Sequence, residues 1–347
     1  MTLFRPVLIG AWALILGGPA AAQVRALDSA LAATFPPTGP GAAMLVSHHG
    51  RVVYRGARGR ANISTGQPLT LTTPIYIASL AKQFTAAGIM RLAEQGRLRY
   101  SDSLARLLPE LGPWTAGVTI EQLLTHTGGI PDYSDSLVDA NPGFDNSQAI
   151  AWLERTAKLD FIPGTRISYS NAGYVVLARI IERLSGKSLH DFLAAEFFEP
   201  LGMRHTGVID GPHPAPADAA RGYTMTNGVP ALHESRSRTA GPGGVYSTVE
   251  DLYRWDRAYA ERRLFSDSTV ARASRPAVLA SGRPTAYGYG WLAEFPAKGP
   301  LANVWYVAST GDLKGFQALM KRIPAREYSV IVLSNAGDFP WNLVELA

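Results

Sequence analysis

The 347-residue sequence contains no cysteine, which excludes disulfides, thiolate nucleophiles and cysteine metal sites. Its 33 basic and 28 acidic residues give a formal net charge of +5, and no block of five or more like charges occurs. Nucleic-acid binding is therefore not indicated. With 46% hydrophobic and 18% charged residues, the composition is that of a soluble globular protein.

Long hydrophobic runs are also absent. The run from Val7 to Leu16 is too short to span a bilayer, which needs about 20 apolar residues. It follows Arg5 and precedes Ala20-Ala21-Ala22, which has the small-x-small form of a signal peptidase site. We expect residues 1–22 to be a signal peptide cleaved near Ala22, and residues 23–347 to be a secreted or periplasmic protein without a stable membrane anchor. An uncleaved anchor is the alternative.

Strand patterns occur at both ends of the chain. Residues 42–47 and 51–59 indicate a hairpin, and three β-rich runs follow near the C-terminus at 304–309, 316–323 and 328–334. Helical and loop patterns fill the region between, including the apolar periodicity of 79–95 and the run 252–260 after a capping box at Ser247 to Glu250.

This order of elements predicts one sheet assembled from both chain ends, with the helical region inserted as a second lobe. The hairpin-like connections favour antiparallel pairing. The sheet lobe covers about 40–80 and 285–347, and the mainly helical lobe about 81–284. A cleft between two lobes is a usual place for a small-molecule site.

Ser79 and Lys82 are the candidate nucleophile and base. Their i, i+3 spacing places both side chains on one face of a helix. A lysine desolvated in a cleft has a lowered pKa and can take the hydroxyl proton. Alone, the motif is weak, and Lys82 on a solvated helix surface is the alternative.

Tyr169 and Asn171 add a second motif. A tyrosine near a lysine ammonium can hold a low pKa and carry the proton, and the asparagine amide can donate to a substrate carbonyl or accept from Lys82. A turn tyrosine and a helix cap are the alternatives. Tyr133, in a similar tripeptide, is ranked below Tyr169 because no helix pattern follows it. His126 has no second ligand at metal spacing and is assigned a structural place.

The motifs in this order resemble a known family. They are Ser79-x-x-Lys82, the run 123–131, Tyr169-Ser170-Asn171 and the run 243–248. Together they are similar to the serine β-lactamase and penicillin-binding protein superfamily, in its class C β-lactamase, D-alanyl-D-alanine carboxypeptidase and related esterase branch. The similarity runs from about Ala43 to Asn335. It implies an α+β fold of the α/β sandwich type, with an antiparallel sheet flanked by helices and an inserted all-helical lobe. It also implies an acyl-enzyme on Ser79 and no metal or organic cofactor.

One element of the family pattern is altered. The third motif usually has a basic residue or histidine, then Thr or Ser, then Gly, whereas this chain has Ser309-Thr310-Gly311. Thr310 is expected to donate to substrate and Gly311 to let it approach the strand. The backbone N–H of Asp312 would pair with that of Ser79 as an oxyanion hole. A serine in place of the cation weakens recognition of a substrate carboxylate.

The sequence therefore predicts an exported serine hydrolase for ester, β-lactam or D-amino-acid peptide substrates. Its partner would be a small-molecule or peptidoglycan-derived substrate, and carboxylesterase-like activity is favoured over efficient β-lactam hydrolysis. A non-hydrolytic module that binds or senses penicillin or peptidoglycan is the alternative. The substrate itself and the oligomeric state do not follow from the sequence.

Overall fold

The computed structural model describes residues 20–141, 143–233, 238–299 and 301–337. The predicted signal peptide lies almost entirely outside these residues, and helix α1 (Ala20–Thr34) spans its expected cleavage point. Within the described ranges, no helix has the length and apolar character needed to cross a membrane.

A six-stranded antiparallel sheet is built from the two ends of the chain, as predicted, in the order β10-β11-β12-β13-β1-β2. Strand β1 forms a hairpin with β2 and also pairs with β13, bringing Ala42 opposite Ser334. The strands of this sheet are β1 (Ala42–His48), β2 (Arg51–Arg58), β10 (Leu292–Glu294), β11 (Tyr306–Leu313), β12 (Phe316–Ile323) and β13 (Tyr328–Ser334).

Both faces of this sheet are covered. In β1 the alternation of side chains sends Ala42, Met44 and Val46 towards the apolar face of α1, while Ala43 and Leu45 join the main core on the other side. Helix α9 (Val249–Ala260) packs against β1 and β13. The predicted α+β fold class is confirmed.

The region between the sheet segments is mainly helical. Its core is the contact between α2 (Lys82–Glu94) and α7 (Asn171–Ser185), whose side chains are largely buried. The other helices are α3 (Leu104–Leu107), α4 (Ile120–Leu124), α5 (Asp135–Ala140), α6 (Asn146–Thr156), α8 (Leu189–Leu193) and α10 (Asp267–Ala273).

Four short strands of the described residues, β6 to β9 below, lie within the predicted helical lobe of about 81–284, so this lobe is not all-helical. Outside the main sheet, β3 (Arg60–Asn62) pairs with β4 (Gln67–Pro68) and β7 (Gly222–Thr226) with β8 (Val229–His233). A three-stranded sheet has the order β5-β9-β6 and consists of β5 (Ile75–Tyr76), β6 (Gly207–Val208) and β9 (Val245–Ser247).

Local predictions were wrong at two element ends. Helix α9 has Thr248 as its N-cap, because Ser247 is the last residue of β9 and its hydroxyl bonds Thr206 instead. Strand β11 continues beyond Ser309 to Leu313, since Asp312 pairs with Gln317 of β12 and the ladder passes through Gly311. This extension carries the strand to the edge of the cleft.

Candidate active site

Ser79 lies in a tight turn at the start of the central helix. The turn Ala78–Ala81 is a 3-10 helix, and the α-helix begins only at Lys82. Ala78 has φ +47°, a left-handed conformation that costs a non-glycine residue about 1–2 kcal/mol. Because side chains at i and i+3 eclipse in a 3-10 turn, Ser79 and Lys82 align more closely than an α-helix would require.

Lys82 is 1% exposed and makes three hydrogen bonds. Its Nζ lies 3.1 Å from Ser79 Oγ, 2.8 Å from Asn171 Oδ1 and 2.9 Å from the carbonyl oxygen of Pro242. Burial lowers the pKa of Lys82 to about 7, against the smaller opposing effect of Asp132. A neutral amine has two N–H donors and one lone pair. The two carbonyl oxygens accept both donors, which leaves the lone pair for the Ser79 hydroxyl proton.

Asp132 orients the amide of Asn171 and was missed by the sequence reasoning. Asn171 Nδ2 donates to Asp132 Oδ2 at 3.1 Å, and the backbone N–H of Ala172 donates to Oδ1 at 2.9 Å. These bonds fix the amide with its oxygen towards Lys82. Burial raises the pKa of Asp132, opposed by its hydrogen bonds and by Lys82. A carboxylate directly after the Ile130-Pro131 pair was the only available signal.

Tyr169 reaches both Ser79 and Lys82. Ser79 lies close enough to affect its titration, and Lys82 Nζ lies 4.5 Å from its ring centroid. The expectation of a low tyrosine pKa is wrong: although the residue is 45% exposed, partial burial raises the pKa of Tyr169 to about 12, and the interaction with Ser79 opposes this shift. The lysine lies over the ring face rather than beside the phenolic oxygen. Tyr169 is thus a neutral phenol that can donate and accept a proton.

Tyr133 also lines the cleft but bonds elsewhere. Its hydroxyl donates to Thr239 Oγ1 at 3.2 Å. Contrary to the prediction, a helix does follow it, because the Ser134 hydroxyl accepts from Leu137 N and caps α5. The ranking of Tyr169 above Tyr133 is therefore better based on the contacts with Ser79 and Lys82 than on a following helix.

His126 holds the backbone on both sides of Tyr169. Its carbonyl oxygen accepts from Ser168 N at 2.9 Å, its Nδ1 accepts from Ser170 N at 3.2 Å, and its ring centroid lies 4.4 Å from that of Tyr169. Because a backbone N–H only donates, Nδ1 carries the lone pair and Nε2 the proton. Burial, and secondarily Lys82, hold the pKa of His126 well below its usual value. The neutral His126 ring thus packs against the Tyr169 ring, and its hydrogen bonds fix the backbone on both sides of Tyr169.

Replacing His126 by alanine should lower kcat about tenfold to hundredfold, because Tyr169 loses the ring contact and the backbone hydrogen bond that position it. KM should change little, because the surface of the cleft stays intact. His126→Asn is the matched control, since its amide oxygen can still accept from Ser170 N and should restore part of the rate. Steady-state kinetics of both variants check this. An effect confined to KM, or an asparagine variant as slow as the alanine one, would contradict the positioning role.

The third motif borders the turn that carries Ser79. A Cβ on Gly311 would lie 2.0 Å from the carbonyl oxygen of Ile77, so only glycine allows β11 to approach this closely. Ser309 is 4% exposed and, like Thr310, does not line the cleft cavity, whereas Asp312 does. The oxyanion hole of the Ser79 and Asp312 N–H groups stays a prediction.

The cleft in front of Ser79 has a volume of about 370 Å³. Its wall carries charges of both signs: Asp135 and Asp139 on α5, Asp312 on β11, and Lys314 just beyond β11. Asn171 and Tyr133 also line it. The cavity is therefore large enough for a small acyl substrate and is polar at its rim.

Comparisons with known proteins agree with this geometry. The β-lactamase family model matches residues 35–345. Penicillin-binding protein 4* of Bacillus subtilis is 33% identical over 310 residues, which cover 84% of this chain and 67% of that protein. The D-aminopeptidase of Brucella ovis is 31% identical over 259 residues, covering 73% of this chain and 49% of that protein. This chain thus spans about half the length of that D-aminopeptidase.

Solved structures give the same result. The octameric penicillin-binding protein homologue from Pyrococcus abyssi has a TM-score of 0.79 and 27% identity, covering 91% of this chain and 73% of its own. The D-amino acid amidase from Ochrobactrum anthropi SV3 has a TM-score of 0.73 and 22% identity, covering 86% of this chain and 89% of its own. At this identity the likeness shows the fold alone. The resemblance predicted from the motifs is confirmed, and the chain belongs to the β-lactamase family of serine hydrolases.

Proposed function

We propose that this protein is an exported hydrolase that forms an acyl-enzyme on Ser79 and prefers carboxylic esters to β-lactams. The observation that carries the proposal is the buried Lys82, whose Nζ reaches Ser79 Oγ while both of its other partners are carbonyl oxygens. This arrangement activates a serine hydroxyl without any other base.

The chemistry follows in two steps. The Ser79 hydroxyl proton passes to Lys82 as Oγ attacks the substrate carbonyl carbon, and the Tyr169 hydroxyl gives its own proton to the leaving group as that bond breaks. Water then attacks the acyl ester and gives a proton to the Tyr169 oxygen, while Lys82 returns its proton to Ser79 Oγ and the acid is released. Backbone N–H groups of Ser79 and Asp312 would stabilise the oxyanion, each donor being worth about 3 kcal/mol.

The rate should depend on pH through Lys82. The base acts only when unprotonated, so kcat/KM should rise as pH increases through about 7, the lowered pKa of Lys82, and level off above it. A pH profile measured with an uncharged p-nitrophenyl ester checks this. An acid limb that persists unchanged in a Lys82→Met enzyme would show that another group titrates.

Substrate preference follows from the charges around the cleft. Penicillins and peptidoglycan stem peptides carry a carboxylate beside the scissile amide, and the strand position that usually supplies a cation holds Ser309. A charge-assisted hydrogen bond is worth about 1.5–3 kcal/mol against about 1 for a neutral one, so carboxylate recognition should be about tenfold weaker. Neutral esters carry no carboxylate, so their binding should be unaffected by the missing cation.

Lys314 is the cation that could replace the missing one, since it lines the same cavity. Asp135 and Asp139 line it too and oppose a substrate carboxylate. We expect kcat/KM for short-chain p-nitrophenyl esters to exceed that for penicillins at least tenfold. Lys314→Ala should change ester turnover less than twofold, as should the control Lys298→Ala outside the cleft. Fast penicillin turnover that is lost in Lys314→Ala would contradict the ester preference.

D-aminopeptidase activity is a second candidate. It is favoured by the names of the relatives and by Asp135 in the cleft wall, because a carboxylate there could bind a free α-ammonium. D-alanine p-nitroanilide and its N-acetyl form separate the two candidates. Preference for the free amine, reduced in Asp135→Asn, supports the peptidase. A persistent acyl adduct without turnover on any of these substrates would instead favour the non-hydrolytic module.

Export is part of the proposal and rests on the sequence of residues 1–22. N-terminal sequencing of protein expressed with its native leader in a bacterial host should give a chain that starts at Gln23 in the periplasmic or secreted fraction. Cleavage after Ala22 leaves Leu27, Leu31 and Phe35 in place against the sheet. An uncleaved chain in the membrane fraction would instead show that residues 1–22 act as a membrane anchor.

A further inference from the structure

A second group of chemically active side chains lies outside the catalytic cleft. His190, Asp210 and His213 each offer one potential ligand atom, and these atoms lie within 4.8 Å of one another. His190 belongs to α8, while Asp210 and His213 face each other across a β-bridge that follows β6. None of the three lines the cleft in front of Ser79.

The hydrogen bonds of both histidines leave Nε2 free to bind a metal ion. His190 Nδ1 lies 2.7 Å from the carbonyl oxygen of Val208, and His213 Nδ1 lies 2.6 Å from Asp210 Oδ1. A carbonyl and a carboxylate only accept, so Nδ1 carries a proton in each ring, and among the described residues no hydrogen bond occupies either Nε2. Metal-binding histidines are typically oriented in this way, by an acceptor on the ring nitrogen that does not bind the metal.

A carboxylate faces one of these Nε2 atoms. Asp191 Oδ1 lies 4.0 Å from His213 Nε2, a separation at which both atoms could bind one cation between them. Asp210 already accepts from two donors, His213 Nδ1 at 2.6 Å and the backbone N–H of His190 at 3.0 Å. Asp191 Oδ2 accepts from the Ser188 hydroxyl at 2.9 Å, which leaves Oδ1 as the carboxylate oxygen that faces His213. Asp191 Oδ1 is therefore taken as the ligand atom, and Asp210 as the group that orients the histidine.

The two rings are stacked, with centroids 3.7 Å apart and planes 3° from parallel. Coordination of one ion by both rings requires them to open from parallel. Their partly exposed positions on α8 and the turn after β6 leave room for this rotation.

We propose that His190 and His213, through Nε2, and Asp191 bind a zinc ion whose fourth position is taken by water, with Asp210 orienting His213. Two imidazoles and a carboxylate are a donor set that Zn²⁺ prefers, at Zn–N and Zn–O distances of about 2.0–2.2 Å. The ion would join α8 to the segment after β6. It would stabilise the fold and take no part in the reaction at Ser79.

The test uses chelator-treated full-length protein titrated with ZnCl₂ by calorimetry and with CoCl₂ by absorption spectroscopy. We expect one equivalent of Zn²⁺ to bind with a micromolar or lower Kd, a tetrahedral Co²⁺ spectrum, and a higher Tm with Zn²⁺. His190→Ala and His213→Ala should each weaken binding at least a hundredfold, and Asp191→Asn and Asp210→Asn at least tenfold.

His205→Ala is the matched control, because His205 lies close by but outside the proposed ligand set; its Kd should stay within twofold of the wild type. Far-UV circular dichroism and ester turnover show that each variant is folded. Failure of the wild-type protein to bind one equivalent would overturn the proposal. So would His190→Ala or His213→Ala variants that bind as tightly as His205→Ala, which would mean that surface histidines bind the ion nonspecifically.

Discussion

The Ser79→Ala enzyme is expected to lose both acylation and hydrolysis, with kcat lowered by about a millionfold. Ser79 is the one proposed nucleophile; its hydroxyl bonds Lys82, and its side chain interacts with Tyr169. Removing a single oxygen from the wall of an open cleft changes little packing, so the fold should be unaffected. Steady-state turnover of a p-nitrophenyl ester and the burst of its first turnover measure the loss.

Ser64→Ala is the control for this substitution. Ser64 lies exposed in the turn before β4, where its hydroxyl bonds Asn62, and the same chemical change there should leave turnover unchanged. Circular dichroism and Tm should match the wild type in both variants. A Ser79→Ala enzyme that keeps more than a few per cent of the wild-type rate on any accepted substrate would show that the nucleophile is another group.

Lys82→Met and Tyr169→Phe are each expected to lower kcat by about four orders of magnitude, while the double variant should be scarcely slower than the slower single one. Lys82 bonds the Ser79 hydroxyl and Tyr169 interacts with Ser79, so we expect the two residues to form one proton relay centred on Ser79, which the loss of either interrupts. Methionine keeps most of the volume of the buried lysine. Single-turnover kinetics of the three variants provide the double-mutant cycle.

Strictly additive losses would show that the two residues act independently and would contradict the relay. Tyr133→Phe is the control for the tyrosine, since the Tyr133 hydroxyl lines the same cleft but bonds Thr239. Its effect should stay below tenfold. Damage equal to that of Tyr169→Phe would assign the proton to Tyr133 instead.

The part of the candidate site that could be predicted consists of residues that lie close together in the sequence. Ser79 and Lys82 are three residues apart, and their alignment follows from helical spacing alone. Tyr169 and Asn171 were found through a second short motif at the start of an apolar helix. The structure brings all four together, but their catalytic roles stay predictions until the variants are measured.

The contacts that tune these residues depend on the tertiary fold. The Pro242 carbonyl reaches Lys82 across 160 residues, and Asp132 reaches Asn171 across 39. A carbonyl oxygen has no sequence signature, and a carboxylate in a loop is usually solvated. The pKa of Tyr169 was predicted with the wrong sign because its direction depends on whether burial or the nearby lysine dominates, which only the packed site decides.

The same distinction holds for the fold. The hairpin of β1 and β2 and the terminal strands followed from short-range alternation, and their assembly into one sheet followed from the order of elements. The extension of β11 through Gly311 could not be predicted in this way, because glycine normally weakens a strand. Here glycine is required because β11 approaches the backbone of Ile77 too closely for a side chain. The 3-10 turn at Ala78–Ala81, which packs against β11, was not predicted from the sequence either.

Intact-mass spectrometry after incubation with a fluorophosphonate tests the central claim most directly, because the reagent forms a stable bond only with an activated serine. We expect the wild-type protein to gain the mass of one phosphonyl group, and peptide mapping to place this group on Ser79. The Ser79→Ala protein should gain no mass. An unlabelled wild-type protein, or a label on any other serine, would contradict the assignment of Ser79 as the nucleophile.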